Sequence, residues 1–140
     1  QAGRLTLVDG ACRDVLPGID LHSAFDTHTW GSMYLSVRND AGPAGGDTWV
    51  ISGDLVYRYE NLTGFDPDNP EYVPIGMAVG SQVNSVMVLD EMMRLVGGDY
   101  RRVVPVHEVR IADHFPTRTN ALGLRMTEIT LADGETSLVR

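Results

Sequence analysis

Three residues of this chain combine a metal-ligating or proton-moving side chain with a place that could aim it: His28, Asp54 and His107. His28 stands in Asp26-Thr27-His28-Thr29-Trp30-Gly31-Ser32, a tight turn with a glycine near its end, directly before the strand-like run Met33-Tyr34-Leu35-Ser36-Val37. Asp54 follows the hydrophobic run Thr48-Trp49-Val50-Ile51-Ser52 through Gly53, and His107 follows Val103-Val104-Pro105-Val106. Imidazole nitrogen and carboxylate oxygen are the donors that suit zinc, iron or manganese. Singly, each residue has a plainer reading. A turn histidine is more often a hydrogen-bonded structural group, and an aspartate after Ser-Gly is often a turn or N-cap residue. Only the set, each member just before or just after a strand-like run, points to a metal.

The elements that would hold these residues are legible from periodicity and punctuation. Residues 4–8, 12–16, 19–25, 33–37 and 48–52 read as short strands, separated by Asp9-Gly10, Pro17-Gly18, the His28 turn and a Gly/Ala/Pro-rich loop at 39–47. In the third run Ile19 and Leu21 share one face, which leaves His22 on the solvent face. Residues 60–74, with three prolines, read as a long irregular loop; such loops are often functional. A helix begins near Gly80, carries Val83, Val86, Met87, Asp90 and Met93 at helical spacing, and ends at Gly97-Gly98. Residues 101–105 read as a short strand feeding His107, and 111–120 are ambiguous. Residues 122–140 read as a terminal hairpin turning at Asp133-Gly134. The order gives an α/β or α+β fold without a domain boundary, so 1–140 is read as a single unit. Asp54 and His107 then fall at carboxyl ends of strands, where α/β folds commonly place chemistry.

Composition narrows the partners. The chain has 140 residues, 43% hydrophobic and 21% charged, with a formal net charge of −8. That balance is ordinary for a globular domain and opposes nucleic-acid binding, which needs a basic surface. No apolar run approaches the roughly 20 residues of a membrane span, and no signal peptide is visible. The one cysteine, Cys12, excludes an internal disulfide and a thiolate cluster and makes the cytoplasm the default compartment.

Taken together, Thr27-His28-Thr29-Trp30-Gly31-Ser32, Val50-Ile51-Ser52-Gly53-Asp54 and Val103-Val104-Pro105-Val106-His107-Glu108 resemble the second half of the metallo-β-lactamase superfamily, in particular the N-acyl homoserine lactonase-like hydrolases. The resemblance runs from about residue 5 to about residue 116. It implies the second half of an αββα sandwich, with His28 and His107 as ligands of two divalent ions, zinc or else iron or manganese, and Asp54 as the bridging carboxylate. Tyr57, three residues past Asp54, matches the tyrosine of the lactonase-like branch. The implied activity is opening of a lactone, or of another ester or cyclic amide, by metal-activated hydroxide, with Asp54 and Tyr57 as catalytic groups. Thioester hydrolysis, diiron redox chemistry and a non-catalytic partner-binding subunit are the alternatives.

The sequence departs from the family pattern in two ways. Thr27 and Trp30 stand where the family's histidine turn usually has Gly and Pro, and Trp30 is expected either to wall the site or to pack under the turn. The family's first ligand motif, His-x-His-x-Asp-His, does not occur. Three ligands divided between two ions cannot hold them tightly, and half a sandwich leaves a sheet face or edge uncovered. A second polypeptide carrying the missing motif is therefore expected to complete the site, as a natural subunit or as the other part of a cleaved chain; a higher oligomer is also open. Of the remaining polar residues, Glu108 is a candidate to orient His107, and His114 is expected on an exposed loop. Met87, Met92 and Met93 are expected in the core. The 60–74 loop, with Phe65 and Tyr72, is a candidate wall for a substrate pocket.

Overall fold

The computed structural model describes residues 3, 6–39, 47–66, 68–127 and 129. Within them the chain folds as a mixed α and β structure around one five-stranded sheet, in the order β1 (Cys12–Leu16), β2 (Ile19–Ser23), β3 (Met33–Asn39), β4 (Asp47–Ile51), β5 (Val103–Val104). The first four strands pair antiparallel in chain order, and β5 joins β4 in parallel. Between β4 and β5 lie the one-turn helix α1 (Glu60–Thr63) and the long helix α2 (Gln82–Leu95). A one-turn helix α3 (Ile111–His114) and a small hairpin, β6 (Thr117–Thr119) with β7 (Arg125–Thr127), follow.

Helix α2 starts where the Ser81 side chain accepts the Asn84 N–H and stops where Gly97 and Gly98 take positive φ, with the Gly98 N–H returning to the Met93 carbonyl. Its buried residues are Ser85, Val88, Leu89 and Met92, a helical stripe that lies in the core with Tyr34, Val50, Leu55, Val56 and Val103. Burying each of Val88, Leu89 and Met92 stabilises the fold by about 2 kcal/mol. Met92 is core and Met93 packs against it, but Met87 is 65% exposed, contrary to its expected place, because it lies off the stripe.

The strand registers assign the two sheet faces. Asp20, His22, Tyr34, Ser36 and Val50 share the face toward α2, and Ile19, Leu21, Leu35, Val37, Trp49 and Ile51 share the other. His22 is therefore not on a solvent face. Its ring stacks on Tyr34 at 4.6 Å, Nε2 lies 2.8 Å from Ser36 Oγ, and Nδ1 lies 3.9 Å from Glu91 of α2. The opposite face is the more aliphatic, yet Ile19, Leu21, Leu35, Val37 and Ile51 are only half-buried and stand outside the core cluster. Trp49 on that face is covered by Phe115 at 5.3 Å and by the Arg102 guanidinium at 5.0 Å.

Several expected elements differ. Residues 6–9 are irregular rather than a strand, and residues 4 and 5 lie outside the described residues. The 60–74 loop opens with α1. Residues 125–127, placed by sequence in a terminal hairpin with 136–139, pair back to Thr117–Thr119 instead; 130–140 lie outside the described residues. Among the described residues no helix is long and apolar enough to cross a membrane.

Candidate metal centre

Strand β3 runs antiparallel to β4, and β5 runs parallel to β4, so the start of β3 and the ends of β4 and β5 share one end of the sheet. His28 lies before β3, Asp54 after β4 and His107 after β5. The fold thus brings to one end three residues spread over 80 positions of sequence.

The His28 turn is fixed from both sides. The Ala24 N–H donates to the Ser32 carbonyl at 2.8 Å and closes the turn, while Ser32 Oγ accepts the Thr29 N–H at 2.9 Å. Thr27, where the resembled family has glycine, is wholly buried, and its hydroxyl donates to the Ala24 carbonyl. On the other side the N–H groups of Val79, Gly80 and Ser81 donate to the carbonyls of His28, Thr27 and Asp26 at 3.1, 2.9 and 2.9 Å. A Cβ at Gly80 would come within 2.4 Å of the Thr27 carbonyl oxygen, so the strap requires glycine there. Trp30 does not pack under the turn: it is 63% exposed and leans on Phe25, with ring centroids 5.5 Å apart.

Asp54 sits in a single 3-10 turn (Gly53–Leu55) that Gly53 enters at φ +52°. The buried Ser52 ties that turn to the β5 end, its hydroxyl donating to the Val104 carbonyl at 2.9 Å. Beyond Asp54 the backbone runs beside the His107 segment: the Val106 N–H donates to the Val56 carbonyl at 3.2 Å, and the His107 N–H to the Tyr57 carbonyl at 3.1 Å. Asn61 holds the same bend, its Oδ1 accepting the N–H groups of Tyr57 and Arg58 at 2.9 and 3.0 Å.

Glu108 completes the junction but does not touch the His107 ring's chemistry. It is buried, and its carboxylate accepts from the Tyr59 N–H at 3.1 Å, from the Arg110 N–H at 2.9 Å and from the Arg110 guanidinium, which also reaches Glu60 at 2.8 Å. Burial alone would raise the Glu108 carboxyl; the Arg110 side chain and the two backbone N–H groups outweigh it and hold the group down to about 2. Glu108 therefore positions the backbone under the site rather than orienting the imidazole.

At the surface of this frame Asp54 Oδ1 lies 3.6 Å from His107 Nε2, both side chains more than half exposed. Two ligands of a tetrahedral ion with bonds of ~2.0–2.1 Å stand ~3.4 Å apart, so this pair has the spacing of two neighbouring ligands on one ion. The Tyr57 ring meets His107 edge to face at 4.7 Å and His28 at 6.1 Å. His28 Nδ1 is buried without a hydrogen-bond partner. Among the described residues no three His, Cys, Asp or Glu side chains form a group that could hold a metal ion. Asp54 and His107 are thus two donors at ligand spacing, short of the three that a metal site among the described residues would need.

The chain matches no protein-family model and no curated protein sequence.

The other sequence candidates lie elsewhere. His114 is not in an exposed loop; it is half-buried in α3 and packs edge to face on Tyr59 at 5.1 Å and near Tyr100 at 6.4 Å. Phe65 lines a cleft of about 580 Å³ with Tyr59, Tyr100 and Arg110, whose lining includes none of Asp54, Tyr57, His28 and His107. Tyr72 is spent on α2, donating its hydroxyl to Asp90 at 3.2 Å. Sequence reasoning missed Asn61 and Arg110, whose partners become neighbours only when residues 57–61 and 106–110 meet.

Proposed function

We propose that this chain is the second half of an αββα metallo-β-lactamase-like sandwich and acts as one subunit or part of a dinuclear metal-dependent hydrolase. A second polypeptide segment carrying the His-x-His-x-Asp-His ligands completes it. The observation that carries the reading is the pair Asp54 and His107, 3.6 Å apart, with the Tyr57 ring against His107 and near His28. The half-buried aliphatic sheet face opposite α2 supports the second layer, since an aliphatic sheet face calls for cover.

In the completed site His28 and His107 would each hold one ion and Asp54 would bridge them. Such ions, when bound, supply a hydroxide near neutral pH and polarise a carbonyl. The chain's own residues do the rest. The Tyr57 hydroxyl donates to the carbonyl oxygen of a lactone, ester or cyclic amide, a bond that strengthens as negative charge develops there. The Asp54 carboxylate accepts the proton of the attacking group and returns it to the departing oxygen or nitrogen. Ser52, Asn61 and Glu108 keep the Asp54 and His107 backbones in register.

The test is hydrolysis by the assembled protein of a panel of lactones, esters, cyclic amides and thioesters. His28→Ala and Asp54→Asn should each abolish turnover while the assembly stays intact; unchanged rates would sink the ligand assignment. Turnover of thioesters alone would move the reading to the thioester-hydrolase branch.

A further inference from the structure

Tyr59 carries a group that the fold leaves unused. The residue is 3% exposed, and its hydroxyl makes no hydrogen bond among the described residues. Its ring is held by edge-to-face contacts with Tyr100 at 5.2 Å and His114 at 5.1 Å and by the Arg110 guanidinium at 5.6 Å. A buried polar group held without a partner costs stability and calls for one from outside, a water or a ligand.

Tyr59 and all three of those neighbours line one cleft of about 580 Å³, a size that suits a small molecule. Leu62, Phe65 and Met93 give it an apolar wall, and Phe65 is 81% exposed, so its ring is open to an incoming ligand. The charge of the cleft is unbalanced. Glu60 and Asp113 line it, and the one guanidinium among the lining residues, Arg110, is already shared between Glu60 and the buried Glu108. The Asp113 carboxylate makes no hydrogen bond or ion pair among the described residues. Glu60, Glu108 and Asp113 thus stand against Arg110 alone. At the Tyr59 hydroxyl the balance is negative too: beyond burial, Glu108 pushes the phenol up more strongly than Arg110 brings it down.

We propose that this cleft binds a small organic cation, an ammonium group carried on an apolar or aromatic body. The ammonium donates to the Tyr59 hydroxyl oxygen, and the Asp113 carboxylate at the exposed rim supplies a counter-charge. Aromatic ring faces attract a cation, and the body rests against Leu62, Phe65 and Met93. An anion of the same shape meets the excess of carboxylates and is repelled.

Titration of the full chain with benzylammonium chloride tests this, in ~0.15 M salt to screen the long-range pull of the net charge. Binding is read by calorimetry and by the His114 imidazole resonances. The expected result is saturable binding that shifts His114 and leaves His28 and His107 in place, with benzoate at least about 10-fold weaker. Tyr59→Phe should weaken benzylammonium about 10-fold, the worth of one hydrogen bond to a charged group. Its melting temperature should stay at or above the native value, because the hydroxyl bonds to nothing among the described residues. Asp113→Asn, at an exposed position, should weaken binding about 5-fold with the fold unchanged. No saturable binding, benzoate bound as tightly as benzylammonium, or an affinity that both variants leave unchanged overturns the proposal. So does a shift centred on His107, which would place the cation beside Asp54 instead. None of these outcomes depends on a second polypeptide or on bound metal.

Discussion

Replacing Glu108 by glutamine probes the frame beneath the site without altering any proposed ligand. The Glu108 side chain is 1% exposed and serves four donor groups from Tyr59 and Arg110. Glutamine keeps the shape but turns an N–H₂ group toward donors and removes the charge facing Arg110. The native carboxyl is held down from 4.5 to about 2, and at ~1.4 kcal/mol per unit this corresponds to roughly 3 kcal/mol of stability. Arg110 is 45% exposed and keeps Glu60, so the loss stays near the lower end of the ~3–5 kcal/mol expected for a broken buried pair. For a chain of this size, roughly 3 kcal/mol is a fall of about 10 °C in Tm. The sign with pH is fixed, because a lowered carboxyl stabilises above its unfolded value and loses that contribution as pH falls. The gap between Glu108→Gln and the native chain should be full above about pH 4.5 and shrink toward about pH 2. Urea unfolding followed by circular dichroism across that range reads it. A gap below about 1 kcal/mol at neutral pH, or one that does not change down to about pH 2, would refute the account of Glu108.

Other expectations follow from the same geometry. Gly80→Ala should displace the Thr27 carbonyl, destabilise the fold by more than about 2 kcal/mol and shift the His28 side-chain resonances before those of His107. In the completed enzyme Tyr57→Phe should lower kcat about 100-fold with bound metal unchanged, as expected for loss of one donor to a developing oxyanion; loss of metal instead would make Tyr57 structural. Leu89→Ala, at a wholly buried position on α2, should cost about 3 kcal/mol in denaturant titration.

The strands β1 to β4 and helix α2 were legible because local rules agree there: alternation in 33–37, a Pro-Gly turn at 17–18, and a Gly-Gly stop after α2. The meeting of His28, Asp54 and His107 at one end of the sheet was legible in part because each adjoins a strand end, and the sheet order converts neighbours of strand ends into spatial neighbours. His22 was misplaced because alternation tells which residues share a face but not which face the helix covers. The face under α2 carries Asp20, His22 and Ser36, satisfied by Arg38, Glu91 and one another, and the greasier face lies outside. His114 and Asn61 were opaque for a different reason. The neighbours of His114 at Tyr59 and Tyr100, and the pairing of residues 56–57 with 106–107 that Asn61 supports, are long-range contacts without a local pattern.

The most direct test of the central claim is a metal count on the chain purified together with a polypeptide bearing the His-x-His-x-Asp-His half of such a site. Elemental analysis should give two divalent ions per complex, and Asp54→Asn should lower that number in a complex that still forms. A well-formed complex with no bound metal, or one whose metal content ignores Asp54, His28 and His107, would contradict the account.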